Sequence, residues 1–291
     1  MGSHITNREV MREMELTLPV VHIVAENLPR GWEEAVLACW ERGAKIATQY
    51  DRPGDPPSHD CILVLNVADP FAEPRIHRAM PGGFEDLEIY LREVISGVHD
   101  HWVDLDDPKK WQYTYHERFV NYTVPGISEP INQLDQVVEA LAKAPHTRRA
   151  EMITWKPWLD PMIEVPPCMQ YLWFRIFDDQ LVLNFHIRSN DAYKAAFMNM
   201  YAITALQRVV AERVSERLGR RIKVGQYNHV VDSFHIYGSY FEEFKGFLRS
   251  VEGRSWEQRT YRTDDPKVQA WMADASRAID EKLAHEKEVG R

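Results

Sequence analysis

The chain has 291 residues, with 35 Lys+Arg against 44 Asp+Glu for a formal charge of −9, and 44% of it is apolar. That apolar share excludes a disordered chain, and at this length about three-quarters of the unfolded surface can be buried in one large domain or two small ones. The negative charge disfavours a nucleic-acid polymer or an anionic membrane as the main target, although a small anion needs only a local cluster of cations.

Residues 1–15 read as flexible or tag-derived, with Met1-Gly2-Ser3-His4 as the remnant. No apolar signal region follows Met1. The longest apolar stretch, Cys61-Ile62-Leu63-Val64-Leu65, is far short of the roughly 20 residues of a membrane span. Three cysteines, Cys39, Cys61 and Cys168, suit free thiols in a reducing, cytoplasmic setting.

Trp32, Ala35, Val36, Cys39 and Trp40 recur at helical spacing, which predicts a helix over 31–49. A turn-rich loop, Asp51-Arg52-Pro53-Gly54-Asp55-Pro56-Pro57, follows. Residues 61–67 suit a buried strand, and residues 84–96 a helix that stops near Gly97. A strand is expected over 150–155. Tyr171 to Phe177 and Leu181 to Ile187 read as a hairpin turning at Asp178-Asp179-Gln180. From Asp191 to Leu218 the pattern is helical and ends at Gly219. A strand over 223–237 and a last helix over 265–291, opening on Asp265-Pro266, complete the order. Val268, Trp271, Met272, Ala275, Ile279 and Leu283 share one face of that helix. Strands and helices mix without strict βαβ alternation, so the expected class is α+β in one domain spanning 1–291.

The chemistry-bearing pattern starts at Pro166-Pro167-Cys168, where two prolines stiffen the approach to a cysteine. Twenty residues on, Arg188-Ser189-Asn190-Asp191 ends the next strand, and a hairpin of this length can return Arg188 to Cys168. A guanidinium beside a thiol lowers the thiol pKa and makes a nucleophile. Arg52, the pair Arg148-Arg149, Arg188 and Ser189 are donors suited to a phosphate. A lone cysteine is more often a core residue, and each of these cations alone is more often a solvated one. The twelve histidines show no metal-ligand spacing, and no Gly-rich dinucleotide loop is present.

Residues 148–237 resemble the thymidylate synthase superfamily. The resemblance rests, in order, on Arg148-Arg149, Pro167-Cys168, Arg188-Ser189-Asn190-Asp191, Asn199 and His235-Ile236-Tyr237, with Asp51-Arg52-Pro53-Gly54 upstream as a phosphate loop. The match is weaker between residues 58 and 147. The resemblance implies a mixed β-sheet that forms a dimer interface, flanked by helices. It implies that Cys168 adds to C6 of a pyrimidine ring, so that C5 attacks the methylene of 5,10-methylenetetrahydrofolate. Arg52, Arg188 and Ser189 would hold the 5′-phosphate, with Arg148 and Arg149 reaching it from the other subunit of a homodimer. Asp191 would contact the pterin and Trp102 would pack near the folate. Asn199 would read the base edge, and His235 and Tyr237 would hold the sugar. Glu88 would organise water and proton transfer, with Glu93 as the competing assignment.

Several residues depart from the synthase pattern. Met169 stands where a histidine usually follows the nucleophile, Asp232-Ser233-Phe234-His235 replaces a Gly-Asp-x-His run, and Tyr115-His116-Glu117-Arg118-Phe119 is a degraded form of another segment. The family's short apolar C-terminus is replaced by Lys287-Glu288-Val289-Gly290-Arg291. With the nucleotide side kept and the folate side altered, the chain looks most like the hydroxymethylase branch, in which water quenches the exocyclic methylene. Asn199 favours uracil over cytosine, and Ser189 with the arginine pair tilts the sugar towards deoxyribose. The alternatives are a thymidylate synthase proper and an inactive nucleotide-binding paralogue.

Overall fold

The structure, a computed structural model, describes residues 17–107 and 109–288. The expected tag remnant and the terminal Val289-Gly290-Arg291 lie outside them.

An eight-stranded mixed sheet carries the fold. Its main path runs β1 (Val20–Ala25), β3 (Ser58–Val67), β9 (Lys223–Ile236), β7 (Gln180–Ile187), β6 (Met169–Phe177) and β5 (Ala150–Ile153). Two short strands attach to it: β2 (Ala44–Ile46) pairs with β3, and β8 (Asn190–Asp191) pairs with β9. The β1–β3 and β7–β9 pairs are parallel, whereas β3–β9, β6–β7 and β5–β6 are antiparallel. A two-stranded sheet joins β4 (Ile76–His77) to β10 (Thr260–Tyr261).

Period-2 alternation gives the large sheet two unlike faces. On one, Leu63, Leu65, Tyr227, Val231, Leu183, Phe185, Leu172 and Phe174 are fully buried. Helices α1 (Leu28–Arg42), α2 (Phe84–Ser96), α4 (Gln133–Lys143) and α5 (Ala196–Leu218) belong to the layer over that face, and the short α3 (Tyr115–Val120) packs against α2 and α4. The central helix, α5, buries fourteen of its 23 residues, which is why its apolar pattern runs nearly all round. The other face of the sheet is left open in the single chain. Val20 and Val24 are each about two-thirds exposed there, and Asn66, Asn228 and Asn184 run across it as a hydrogen-bonded ladder.

The first expected helix is shifted and shortened. It begins after Asn27, whose side chain accepts from the Arg30 amide at 3.1 Å, and stops at Gly43. Residues 44–46 leave the helix because they pair with β3, a ladder that helical periodicity could not reveal. The hairpin turns as expected. Asp178 and Asp179 both take left-handed backbone, the geometry of a two-residue turn, and Phe177 faces Gln180. α5 starts at Ala196 rather than Asp191, because Asn190 and Asp191 pair with Phe234 and His235. It ends at Gly219, which is left-handed (φ 63°) as expected. After α6 (Phe241–Gly253) and α7 (Trp256–Arg259), the last helix, α8, spans Pro266–Glu288.

Candidate active site

The carboxyl ends of β7 and β9 meet the start of β6 and the first turn of α5 around a cleft of about 640 Å³. Cys168, Arg188, Ser189, Asp191, Asn199, His235 and Tyr237 all line it. The hairpin does what the spacing requires: Met169 pairs with Ile187, and the Arg188 amide donates to the Cys168 carbonyl at 2.9 Å. The Arg188 guanidinium also braces the approach, with Nε donating to the Pro167 carbonyl (3.0 Å) and Nη2 to the Pro166 carbonyl (2.9 Å).

The expected activation of the thiol is only partly realised. Burial pushes the Cys168 thiol up, and the Arg188 charge draws it back by a smaller amount, so the net shift is upward. The guanidinium spends two of its N–H groups on backbone carbonyls, and the half-buried thiol loses solvation that one nearby cation does not restore.

Asp191 is held from three sides. Its Oδ1 accepts from the Tyr193 and Lys194 amides (3.1 and 2.7 Å) and from the Tyr240 hydroxyl (2.6 Å). Burial nevertheless raises its pKa, with these donors opposing the rise. The segment is pinned from beneath by Trp32 of α1, whose Nε1 donates to the Ala192 carbonyl at 2.8 Å. Tyr237 lies 4.5 Å from the His235 ring, and burial, with the Asp191 charge, pushes its phenol up to about 12.

Six residues expected at the site do not line this cleft. Glu88 does not reach Cys168: it faces the α2–α8 seam, paired with Arg92 at 2.7 Å, and Arg92 in turn binds Asp280 and Ser276 of α8. Glu93 turns the other way, accepts from His99 at 2.7 Å and lines a second cavity. Trp102 lines neither cavity. It stacks on His99 with ring centres 3.7 Å apart and meets Trp111 edge-on. Arg148 and Arg149 are exposed at the start of β5, three strands from β9, and do not line the Cys168 cleft of their own chain. Arg52 is exposed in the 47–57 loop, which reaches the cleft through Tyr50 packed edge-on to Tyr237.

Sequence reasoning missed the tyrosines. Tyr90 donates to Asn199 Oδ1 at 2.5 Å, and the Tyr115 hydroxyl lies 3.4 Å from the Met169 amide. Burial, then the Cys168 charge, pushes the Tyr115 phenol up to about 12. Tyr90 sits three residues before Glu93, one helical turn away on the same face of α2, and that spacing was the available signal. Tyr90, Tyr115 and Val165 form a shared wall with the second cavity, which encloses about 400 Å³ and whose lining includes Val94, Trp111, Tyr113 and the charged Glu93, Lys110 and Glu164.

The sequence profile of the family described as "Thymidylate synthase" matches residues 86–268. The chain belongs to the thymidylate synthase family. Two archaeal relatives carry the description "Putative thymidylate synthase". One, from Methanosarcina acetivorans, is 29% identical over 79% of this chain and 95% of its own. The other, from Methanothermobacter thermautotrophicus, is 31% identical over 78% of this chain and 98% of its own. Thermostable thymidylate synthase A from Bacillus subtilis shares the fold with a TM-score of 0.58 at 17% identity, over 77% of this chain and 84% of that one. The α+β expectation and its thymidylate synthase topology therefore hold. The profile spans the hairpin, α5 and β9, the elements that bring the cleft together. Among the described residues, no helix is long and apolar enough to cross a membrane.

Proposed function

We propose that this cytoplasmic, single-domain chain of the thymidylate synthase family transfers a one-carbon unit from 5,10-methylenetetrahydrofolate to C5 of a pyrimidine nucleoside monophosphate, and that the product is the 5-hydroxymethyl nucleotide. The observation that carries the reading is the convergence of Cys168 with Arg188, Ser189, Asn199, His235 and Tyr237 on one cleft. A C5 carbon becomes nucleophilic only when C5=C6 is saturated, and Cys168 would do this by adding to C6. Arg188, Ser189 and Arg52 supply phosphate donors, Asn199 meets the base edge, and His235 with Tyr237 hold the sugar. dUMP is the favoured substrate, because uracil N3–H and O4 match an amide's acceptor and donor.

The folate would supply the carbon at the oxidation level of formaldehyde. The adjoining cavity fits such a co-substrate: Trp111 and Tyr113 offer flat apolar walls, Lys110 offers a cation for an acidic tail, and the shared wall opens towards Cys168. Asp191 stands on the cleft side and Trp102 buttresses Trp111 from behind. Water as the final nucleophile, adding to the exocyclic methylene, is supported by the altered residue after Cys168: Met169 is fully buried in the sheet and brings no polar group to the cleft. Glu93, rather than Glu88, would activate that water, a reading supported by its position on the adjoining cavity.

The active unit is proposed to be a homodimer formed through the open sheet face, with Arg148 and Arg149 completing the partner's phosphate site. Their exposure away from their own cleft supports this.

The relatives' descriptions favour one second reading, reductive methylation of dUMP to dTMP. Incubation with methylenetetrahydrofolate and each of dUMP, dCMP, UMP and CMP separates the two. A product heavier by CH₂O, with tetrahydrofolate released, supports hydroxymethylation. A gain of CH₂ with dihydrofolate accumulating by absorbance establishes the synthase. Nucleotide binding with no tritium exchange at C5 would mark an inactive paralogue.

A further inference from the structure

Behind the cleft, five side chains form a continuous buried line. Tyr90 donates to Asn199 Oδ1 at 2.5 Å, Asn199 Nδ2 donates to Asn190 Oδ1 at 3.0 Å, and Asn190 Nδ2 lies 3.1 Å from His229 Nε2. His229 Nδ1 lies 2.6 Å from the Tyr227 hydroxyl. The line spans α2, α5, β8 and β9, and Asn190, His229 and Tyr227 are buried from solvent. Only the Tyr90–Asn199 end faces the cleft together with Asn190.

Every inner member is an amide or an imidazole, so each direction of donation constrains the next. Burial holds His229 near pKa 3, with a smaller contribution from the His186 charge, so the ring is neutral and carries one proton. Nε2 accepts from Asn190, and the proton therefore sits on Nδ1 and points at Tyr227. Asn199 cannot turn over alone, because its oxygen would then face the Asn190 oxygen with no hydrogen between them. Reversal requires Asn190 and the His229 tautomer to reverse with it.

We propose that Asn190 and His229 are specificity-determining positioning residues: through this relay they fix which end of the Asn199 amide meets the base, and so whether the cleft takes a uracil or a cytosine nucleotide. The inference rests on the reading that Asn199 faces the base edge. Uracil presents a donor at N3 and an acceptor at position 4, and cytosine presents the reverse. An amide held one way matches one of them, and the same amide turned over matches the other.

Two variants and two readouts test it. His229→Phe keeps a ring and removes the anchor. Asn190→Asp keeps an acceptor facing Asn199, preserves its direction and moves the His229 proton to Nε2. Binding of dUMP and dCMP is measured by calorimetry for each folded variant. His229→Phe should shrink the wild-type preference between the two by about tenfold or more, while Asn190→Asp retains it. A role in stability alone would weaken both nucleotides equally, and an unchanged ratio in folded His229→Phe overturns the proposal. Nitrogen-15 NMR of histidine-labelled protein, with the His229→Phe spectrum as the assignment, should show the Nδ1–H tautomer in the wild type and Nε2–H in Asn190→Asp. A cationic ring or Nε2–H in the wild type at pH 7 also overturns it. Absence of binding by either nucleotide to the wild type would instead sink the reading of Asn199 on which the inference rests.

Discussion

Cys168 and Asn199 carry the residue-scale expectations. Burial raises the Cys168 thiol and Arg188 opposes it, so alkylation of the free protein should accelerate with a midpoint above the ordinary thiol value of about 8.5. In Arg188→Leu the midpoint should rise further, because the favourable Arg188 charge is gone. A midpoint at or below that of a free thiol would refute the balance drawn here. Cys39 and Cys61 are fully buried and should not obscure the measurement. Cys168→Ser should lower turnover by about a thousandfold or more and retain nucleotide binding. Asn199→Asp should move preference towards dCMP. One mismatched hydrogen bond at a desolvated base costs about 1–3 kcal/mol, roughly 5- to 150-fold in selectivity. A wild type that already prefers cytosine nucleotides would refute the uracil assignment.

Between elements, two contacts decide how well the cleft is held. Gly238 follows Tyr237 directly, and a Cβ there would collide with the Pro56 carbonyl oxygen. The 47–57 loop, with Tyr50 and Arg52, can lie against the end of β9 only because residue 238 has no side chain. Gly238→Ala should destabilise the fold by about 1–3 kcal/mol and weaken nucleotide binding, seen by thermal melting and calorimetry. The second contact joins α1, β4 and α7 (Trp256–Arg259). Glu33 binds His77 (3.0 Å) and, in a forked pair, Arg259 (2.7 and 2.9 Å). Burial alone would raise the Glu33 carboxyl, but the His77 and Arg259 hydrogen bonds outweigh it and hold it at about 2. Burial lowers His77, with Glu33 opposing.

The signs agree. A carboxylate depressed in the fold contributes stability above its unfolded pKa of about 4.3, lost as pH falls towards 2. A histidine depressed in the fold loses stability once pH falls below about 6.5, where the unfolded chain takes up its proton. Urea midpoints should therefore fall steadily from pH 6.5 towards pH 3. Glu33→Gln should be less stable at pH 7 by about 3–5 kcal/mol and respond less to acid. An equally steep acid response in that variant would exclude this cluster as its source.

For the whole molecule, the unlike faces of the sheet set the expectation. One face builds the core, and the other, with Val20, Val24 and the asparagine ladder, is open in the single chain, which suits the proposed dimer. Light scattering should give a dimer. Mixing Arg149→Ala with Cys168→Ser protein should restore activity, because one of the two sites in a mixed dimer then has all its parts. No recovery after verified subunit exchange would exclude sharing of Arg149.

Much of the site was legible because it depends on short-range chain geometry. A two-residue turn at Asp178-Asp179 sets the β6–β7 register, and that register alone returns Arg188 to Cys168. Gly219 ends α5 through its own backbone freedom, and Pro266 opens α8 by fixing its own φ. The features that went unread depend on long-range pairing. Residues 44–46 became a strand because β3 lay beside them, and Asn190-Asp191 left the helix because β9 did. The orientation of α2 was likewise undetermined by its own pattern. Tyr90 and Glu93 share one face of that helix and Glu88 points away from it, and packing against α5 and α8 turns Tyr90 to the cleft and sends Glu88 to the Arg92 seam. The sequence by itself determined which groups could do the chemistry and the local turns that bring Cys168 and Arg188 together. The tertiary structure decided the solvation of the thiol, the helix face that meets the Asn199 amide and the buried line of hydrogen bonds behind it, because burial and hydrogen-bond direction are set by neighbours distant along the chain.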